Sequence, residues 1–79
     1  MVINKEKLKW RSRRSMLELD IFFDKFIQNN GLELLTDVEL YAYQNILTLD
    51  DGYLLSLLQG KYCNNDEIEQ MVIDKIVNV

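Results

Sequence analysis

The chain predicts an all-α fold, a small five-helix bundle in a single domain covering residues 1–79. Three observations predict it. Apolar residues recur at spacings of three and four in several segments, no segment sustains period-two alternation between turn residues, and helix start and stop signals follow one another at short intervals. Seventy-nine residues suffice for one core, but not for a cofactor cavity beside a separate substrate site. The composition, 48% hydrophobic and 28% charged, is that of a folded chain and not of a disordered tail.

The first helix is expected over about residues 4–13, with Leu8 and Trp10 as its packing groups and Arg11, Arg13 and Arg14 set against the negative end of its dipole. The second is expected from about Met16 to Gln28, where Met16, Leu19, Phe22, Phe23, Phe26 and Ile27 make a broad apolar face. Asn29-Asn30-Gly31 ends it, since asparagine and glycine tolerate the left-handed conformation. Thr36-Asp37-Val38-Glu39 is a capping box that opens a third helix to about Leu47, with Val38, Leu40, Tyr41, Ile46 and Leu47 as its contacts. Asp50 or Asp51 caps a fourth helix that buries Leu54, Leu57 and Leu58 and closes at Gly60. The fifth follows Asn64 or Asn65 and shows Ile68, Met71, Val72 and Ile76 on one face. The short loops predict closely packed neighbours.

Several chemistries are absent. The chain has no histidine and one cysteine, and none of its three glycines builds a phosphate loop, so histidine-based triads, His/Cys zinc sites and nucleotide-cradling loops are disfavoured. No catalytic, cofactor-binding or metal-ligating residue is expected, and the protein is read as a non-enzyme. Asp50 and Asp51 lack the further ligands a metal would need, so helix capping explains them better. The longest apolar runs, such as Ile21-Phe22-Phe23, are far shorter than a membrane span, and a cytoplasmic or matrix-type location is expected. Cys63 cannot form an internal disulfide and reads as a buried or inert thiol.

Charge is unevenly distributed. Residues 1–14 carry +5 and the remaining residues −9, within a net charge of −4. A basic head on an acidic body can orient an approaching partner. Nucleic acid is disfavoured as that partner by the acidic body, by a sequence pI of about 4.6 and by the lack of an accompanying motif.

Residues 13–20 hold the strongest functional signal. Arg13-Arg14 precede Ser15-Met16-Leu17-Glu18, itself a serine-x-x-glutamate capping box, and Leu19-Asp20 follow. With Ser15 as the cap, Arg14 stands outside the helix, free for a forked contact with a carboxylate or phosphate. Glu18 can cap the helix, meet a partner, or do both, and Asp20 can simply favour the positive helix start. Trp10 reads as a packing residue or as a binding anchor.

This stretch resembles the signature of the small succinate dehydrogenase assembly factors, the SdhE or flavinator type, in which Arg-Gly-x-x-Glu lies within Arg-Arg-Gly-Met-x-Glu-Leu-Asp. The matched positions are Arg14 and Glu18, with Ser15 in place of the motif glycine. Arg13, Met16, Leu19 and Asp20 extend the match, and Trp10 stands upstream at the family's spacing. The replacement of glycine adds a β-carbon and a hydroxyl where a partner's backbone would approach. The resemblance implies a five-helix bundle that binds the flavoprotein subunit of succinate dehydrogenase or fumarate reductase and promotes covalent attachment of FAD to a histidine of that subunit. It implies partner contacts through Trp10, Arg11, Arg13, Arg14, Ser15, Met16, Glu18 and Asp20, with the FAD belonging to the partner. A monomer that neither binds nucleic acid nor inserts into membranes is expected. The alternative is a small helical regulator, antitoxin-like, that uses the same basic head on a different protein partner.

Overall fold

The computed structural model describes residues 4–13 and 16–78. Among these lie six helices and no strand: α1 (Lys5–Arg11), α2 (Leu17–Gln28), α3 (Gly31–Leu34), α4 (Asp37–Ile46), α5 (Asp51–Leu58) and α6 (Glu67–Val77). Four of them start on a side-chain oxygen that accepts from first-turn amides, as the sequence signals predict for α4 and α5; α6 is capped by Asp66 and not by the expected Asn64 or Asn65. Asn4 accepts from the Lys7 amide at 3.2 Å, and Thr36 and Glu39 form the expected capping box. Asp50 Oδ2 accepts from Gly52 and Tyr53, and Asp66 Oδ1 from Ile68 and Glu69. The acidic pair at 50 and 51 thus opens α5, and Gly60 closes it at φ 79°.

The sixth helix corrects the five-helix expectation. Asn29-Asn30-Gly31 does end α2, with Asn30 in the left-handed region at φ 59°, but Gly31 then starts the four-residue α3. One helical turn is too short to leave an apolar period in the sequence. Gly31 is buried against Phe26, and a β-carbon placed there would lie 2.4 Å from the ring. The missing side chain lets α3 turn back onto α2 and bury Leu32 completely.

The core gathers Leu19, Phe23 and Phe26 of α2, Leu40, Tyr43 and Ile46 of α4, Leu54, Leu57 and Leu58 of α5, and Val72, Ile73 and Ile76 of α6. Met16, Phe22 and Ile27 pack on its margin, so the expected face of α2 is present. The most extensive helix contact joins α4 to α6, and α2 meets α3, α5 and α6. A radius of gyration of 11.3 Å matches the roughly 12 Å of a compact chain of this length.

Several packing assignments change. Val38 and Tyr41 are exposed, and Ala42 and Tyr43 fill the interior, because α4 meets α6 and α2 along the 40-43-46 line. Ile68 and Met71 are exposed on α6, and Ile73 takes the buried place. Trp10 stands 76% exposed, and Leu8 alone is the buried apolar residue of α1. Cys63 is exposed, not buried, in the irregular segment between Gly60 and α6.

Glu39 carries two duties. Its Oε1 accepts from the Thr36 amide at 3.0 Å, and its Oε2 accepts from Lys75 Nζ of α6, so one nearly buried carboxylate both caps α4 and ties it to its main neighbour. The Lys75 hydrogen bond, followed by that of the Thr36 amide, holds the carboxyl below its usual 4.5 against the opposing effect of burial. A carboxylate with a depressed folded value stabilises the fold above the unfolded value and loses that contribution as pH falls through the folded one. The wild-type chain is therefore expected to weaken below pH 4.5. Glu39→Gln should begin less stable near neutrality and show a flatter decline in that acid range, as urea unfolding at a series of pH values would measure. Gly31→Ala should destabilise by about 1–3 kcal/mol through overpacking against Phe26, read as a lower urea midpoint.

Candidate functional site: the corner between α1 and α2

The basic head of the sequence becomes the outer edge of the molecule where α1 ends and α2 begins. Ser12 terminates α1, its amide bonded to the Leu8 carbonyl at 2.9 Å, and the Arg13 amide donates to the Trp10 carbonyl at 3.3 Å. Helix α2 then starts at Leu17 with Met16 extended in the cap position and no side-chain cap. The predicted box is thereby out of register. With Met16 as cap, Glu18 occupies the second helical position, where it cannot return to the cap amide as a third-position glutamate does. Glu18 is exposed and makes no hydrogen bond or ion pair among the described residues. Arg14 and Ser15, and with them the proposed serine cap, lie outside the described residues.

Arg13 is the hub of this corner. It lines one cleft with Lys9, Ser12, Asp20, Phe23, Asp24 and Ile27. A second cleft brings it together with Glu6, Lys9 and Trp10, and a third with Arg11, Gln44, Leu47 and Thr48. The fold therefore assembles Trp10, Arg11, Arg13 and Asp20 around one point. Met16 packs on the core margin, and Glu18 stands apart from all three clefts. Neither the Arg11 nor the Arg13 guanidinium has a hydrogen-bond or ion-pair partner among the described residues, whereas Lys9 pairs with Glu6 at 3.3 Å and reaches Glu33 of α3 at 3.9 Å.

Beneath the corner is a polar anchor that the sequence reading missed. Ser12 is 1% exposed, and its hydroxyl donates to the Leu8 carbonyl at 2.7 Å. Its Oγ also lies 2.5 Å from the Tyr43 hydroxyl. A serine has one proton to give, and it goes to the carbonyl, so the phenol donates to Ser12. The spacing of Tyr43 from Leu40 and Ile46 was a usable signal of its burial. That of Ser12, a small polar residue between arginines, gave none.

The clefts present guanidinium forks, an exposed indole and flanking carboxylates. Such a surface can bind and orient a partner through charge-assisted hydrogen bonds and apolar contact. Among the described residues no group of three or more histidine, cysteine or acidic side chains is gathered that could hold a metal, and no helix is long and apolar enough to cross a membrane.

A family model described as "Flavinator of succinate dehydrogenase" matches residues 6–79. This chain belongs to that family. Among its flavinator relatives, the protein named FAD assembly factor SdhE of Legionella pneumophila (strain Paris) is 40% identical over 68 residues, covering 86% of this chain and 85% of the relative. FAD assembly factor SdhE of Colwellia psychrerythraea is 37% identical over 71 residues, 89% of this chain and 77% of the relative. Its namesake in Idiomarina loihiensis is 30% identical over 70 residues, 87% and 77% of the two chains. No solved structure matches. The matched region takes in the corner and all the helices except the first residue of α1, so the flavinator likeness belongs to the whole fold and not to the arginine motif alone.

An indole this exposed contributes little to folding. Trp10→Ala is expected to leave the denaturation midpoint almost unchanged, within about 0.5 kcal/mol, as measured by urea unfolding followed by circular dichroism.

Proposed function

We propose that this chain is an assembly factor that binds the flavoprotein subunit of succinate dehydrogenase, or the similar subunit of fumarate reductase, and promotes covalent attachment of FAD to that subunit. Family membership over residues 6–79 is the observation that carries this reading, and the exposed cationic corner supplies a surface suited to it. Arg11, Arg13 and Arg14 offer forked donors to carboxylates of the partner, and Trp10 offers an apolar anchor beside them. Met16, Glu18 and Asp20 complete the contact edge on the α2 side, and Ser15 belongs to the same motif.

The chain acts as a holder and not as the catalyst. Covalent linkage to a histidine requires that histidine on the flavoprotein, because this sequence contains none. The demands on the assembly factor are orientation of the partner and electrostatic preorganisation around its flavin. A holder needs little affinity of its own for free FAD, and it works as a monomer in the cytoplasm.

Deleting the gene should leave the flavoprotein present but with little covalent flavin, read by in-gel flavin fluorescence. Re-expression of the wild-type chain should restore the signal. Arg14→Ala and Arg13→Ala should each weaken binding to the purified flavoprotein by about tenfold or more, the worth of a charge-assisted hydrogen bond, and added salt should weaken the wild-type complex. Unchanged fluorescence after deletion would refute the assembly role.

A further inference from the structure

We propose that the Ser12–Tyr43 hydrogen bond is the latch that sets the position of the docking corner, which makes Tyr43, deep in the core, a positioning residue for flavoprotein binding. The inference rests on the assembly reading above, and adds to it a residue outside the motif. Helix α1 has seven residues, about 10 Å of helix, far below the length at which an isolated helix is stable in water. It must be held by the body, and among the described residues few groups hold it. Leu8 is its one buried apolar residue, and the Lys9–Glu33 pair is a long, exposed contact of the kind that contributes little.

Ser12 supplies the other hold. It is buried at the end of α1 with its hydroxyl between the Leu8 carbonyl and the Tyr43 phenol. The phenol is fixed in turn, because the Tyr43 ring stacks on Phe26 at 5.8 Å and meets Phe23 edge-on at 6.0 Å. Ser12 stands directly between Arg11 and Arg13, whose side chains form one cleft. A rigid core ring thus dictates where two guanidiniums stand that have no partner among the described residues. Without the bond, α1 opens locally while α2, α4, α5 and α6 remain packed, and a partner must reorder the corner before it can bind.

Tyr43→Phe keeps the ring and removes the donor, and Ser12→Ala removes the acceptor. Amide hydrogen exchange on the full chain reads the latch without any partner. Exchange across residues 8–13 should quicken about fivefold in Tyr43→Phe and at least as much in Ser12→Ala, which also loses the bond to the Leu8 carbonyl, with α4 and α6 unchanged, and the double variant should be little worse than Ser12→Ala alone, as a shared bond requires. In flavinylation assays the concentration of this chain giving half the maximal rate should rise by a similar factor, with the rate at saturation unchanged. Unaltered exchange at residues 8–13, acceleration spread equally through α4 and α6, or additive effects of the two substitutions would overturn the latch. Faster local exchange with an unchanged half-saturating concentration would overturn the positioning role. If the wild-type chain itself failed to bind or flavinylate the flavoprotein, the assembly reading and the positioning role would fall together, and the exchange comparison would still decide the latch.

Discussion

The organisation of this protein depends on the placement of Tyr43. Its ring packs in the core against Phe23 and Phe26, and its hydroxyl meets Ser12 at the end of α1. A buried phenol needs a partner for its polar end, since leaving that end unpaired would incur the full cost of its desolvation. Ser12 meets the need from the terminus of the most weakly packed helix. One side chain therefore satisfies an aromatic cluster and positions a charged edge.

A second polar group, one turn earlier on α4, has a comparable dual role. Glu39 closes the start of α4 and joins α4 to α6 through Lys75, at the most extensive interface of the bundle. Each of these two residues links something local, a helix end, to something distant in sequence. Among the described residues the rest of the buried interior is aliphatic and aromatic packing. Polar anchoring is reserved for the places where the fold must commit to a particular angle or register.

Much of the architecture was legible in the sequence because helix ends are written in local chemistry. The Thr36 box, Asp50 and Gly60 act where their residue types predict, whereas Asp66, and not Asn64 or Asn65, caps α6. What escaped was governed by contacts distant in sequence. Gly31 reads as a helix stop, and only the Phe26 ring beside it explains why a new turn begins there. Trp10 reads as a packing group by hydropathy, yet two residues on from Leu8 it lies about 200° round the helix, so the face that buries Leu8 turns Trp10 outward. The Ser15-x-x-Glu18 spacing satisfies the capping pattern, but Met16 takes the cap position and Glu18 faces outward. At the candidate site, the sequence identified the arginine-rich corner and not its foundation. Charge clusters are visible in one dimension, whereas a serine and a tyrosine thirty-one residues apart become a pair only in three.

The shallow seating of α1 also bears on how the family can diverge. Residues that contribute little to the stability of the native state are not filtered by the threshold that removes most substitutions. The outward positions of α1 can accordingly drift in charge and size to follow changes on a partner's surface, while Leu8 and Ser12 keep the segment attached. With the corner as the docking edge proposed above, recognition and foldability are partly decoupled within a chain of seventy-nine residues. Such separation lets a small protein keep pace with a much larger one without rebuilding its interior.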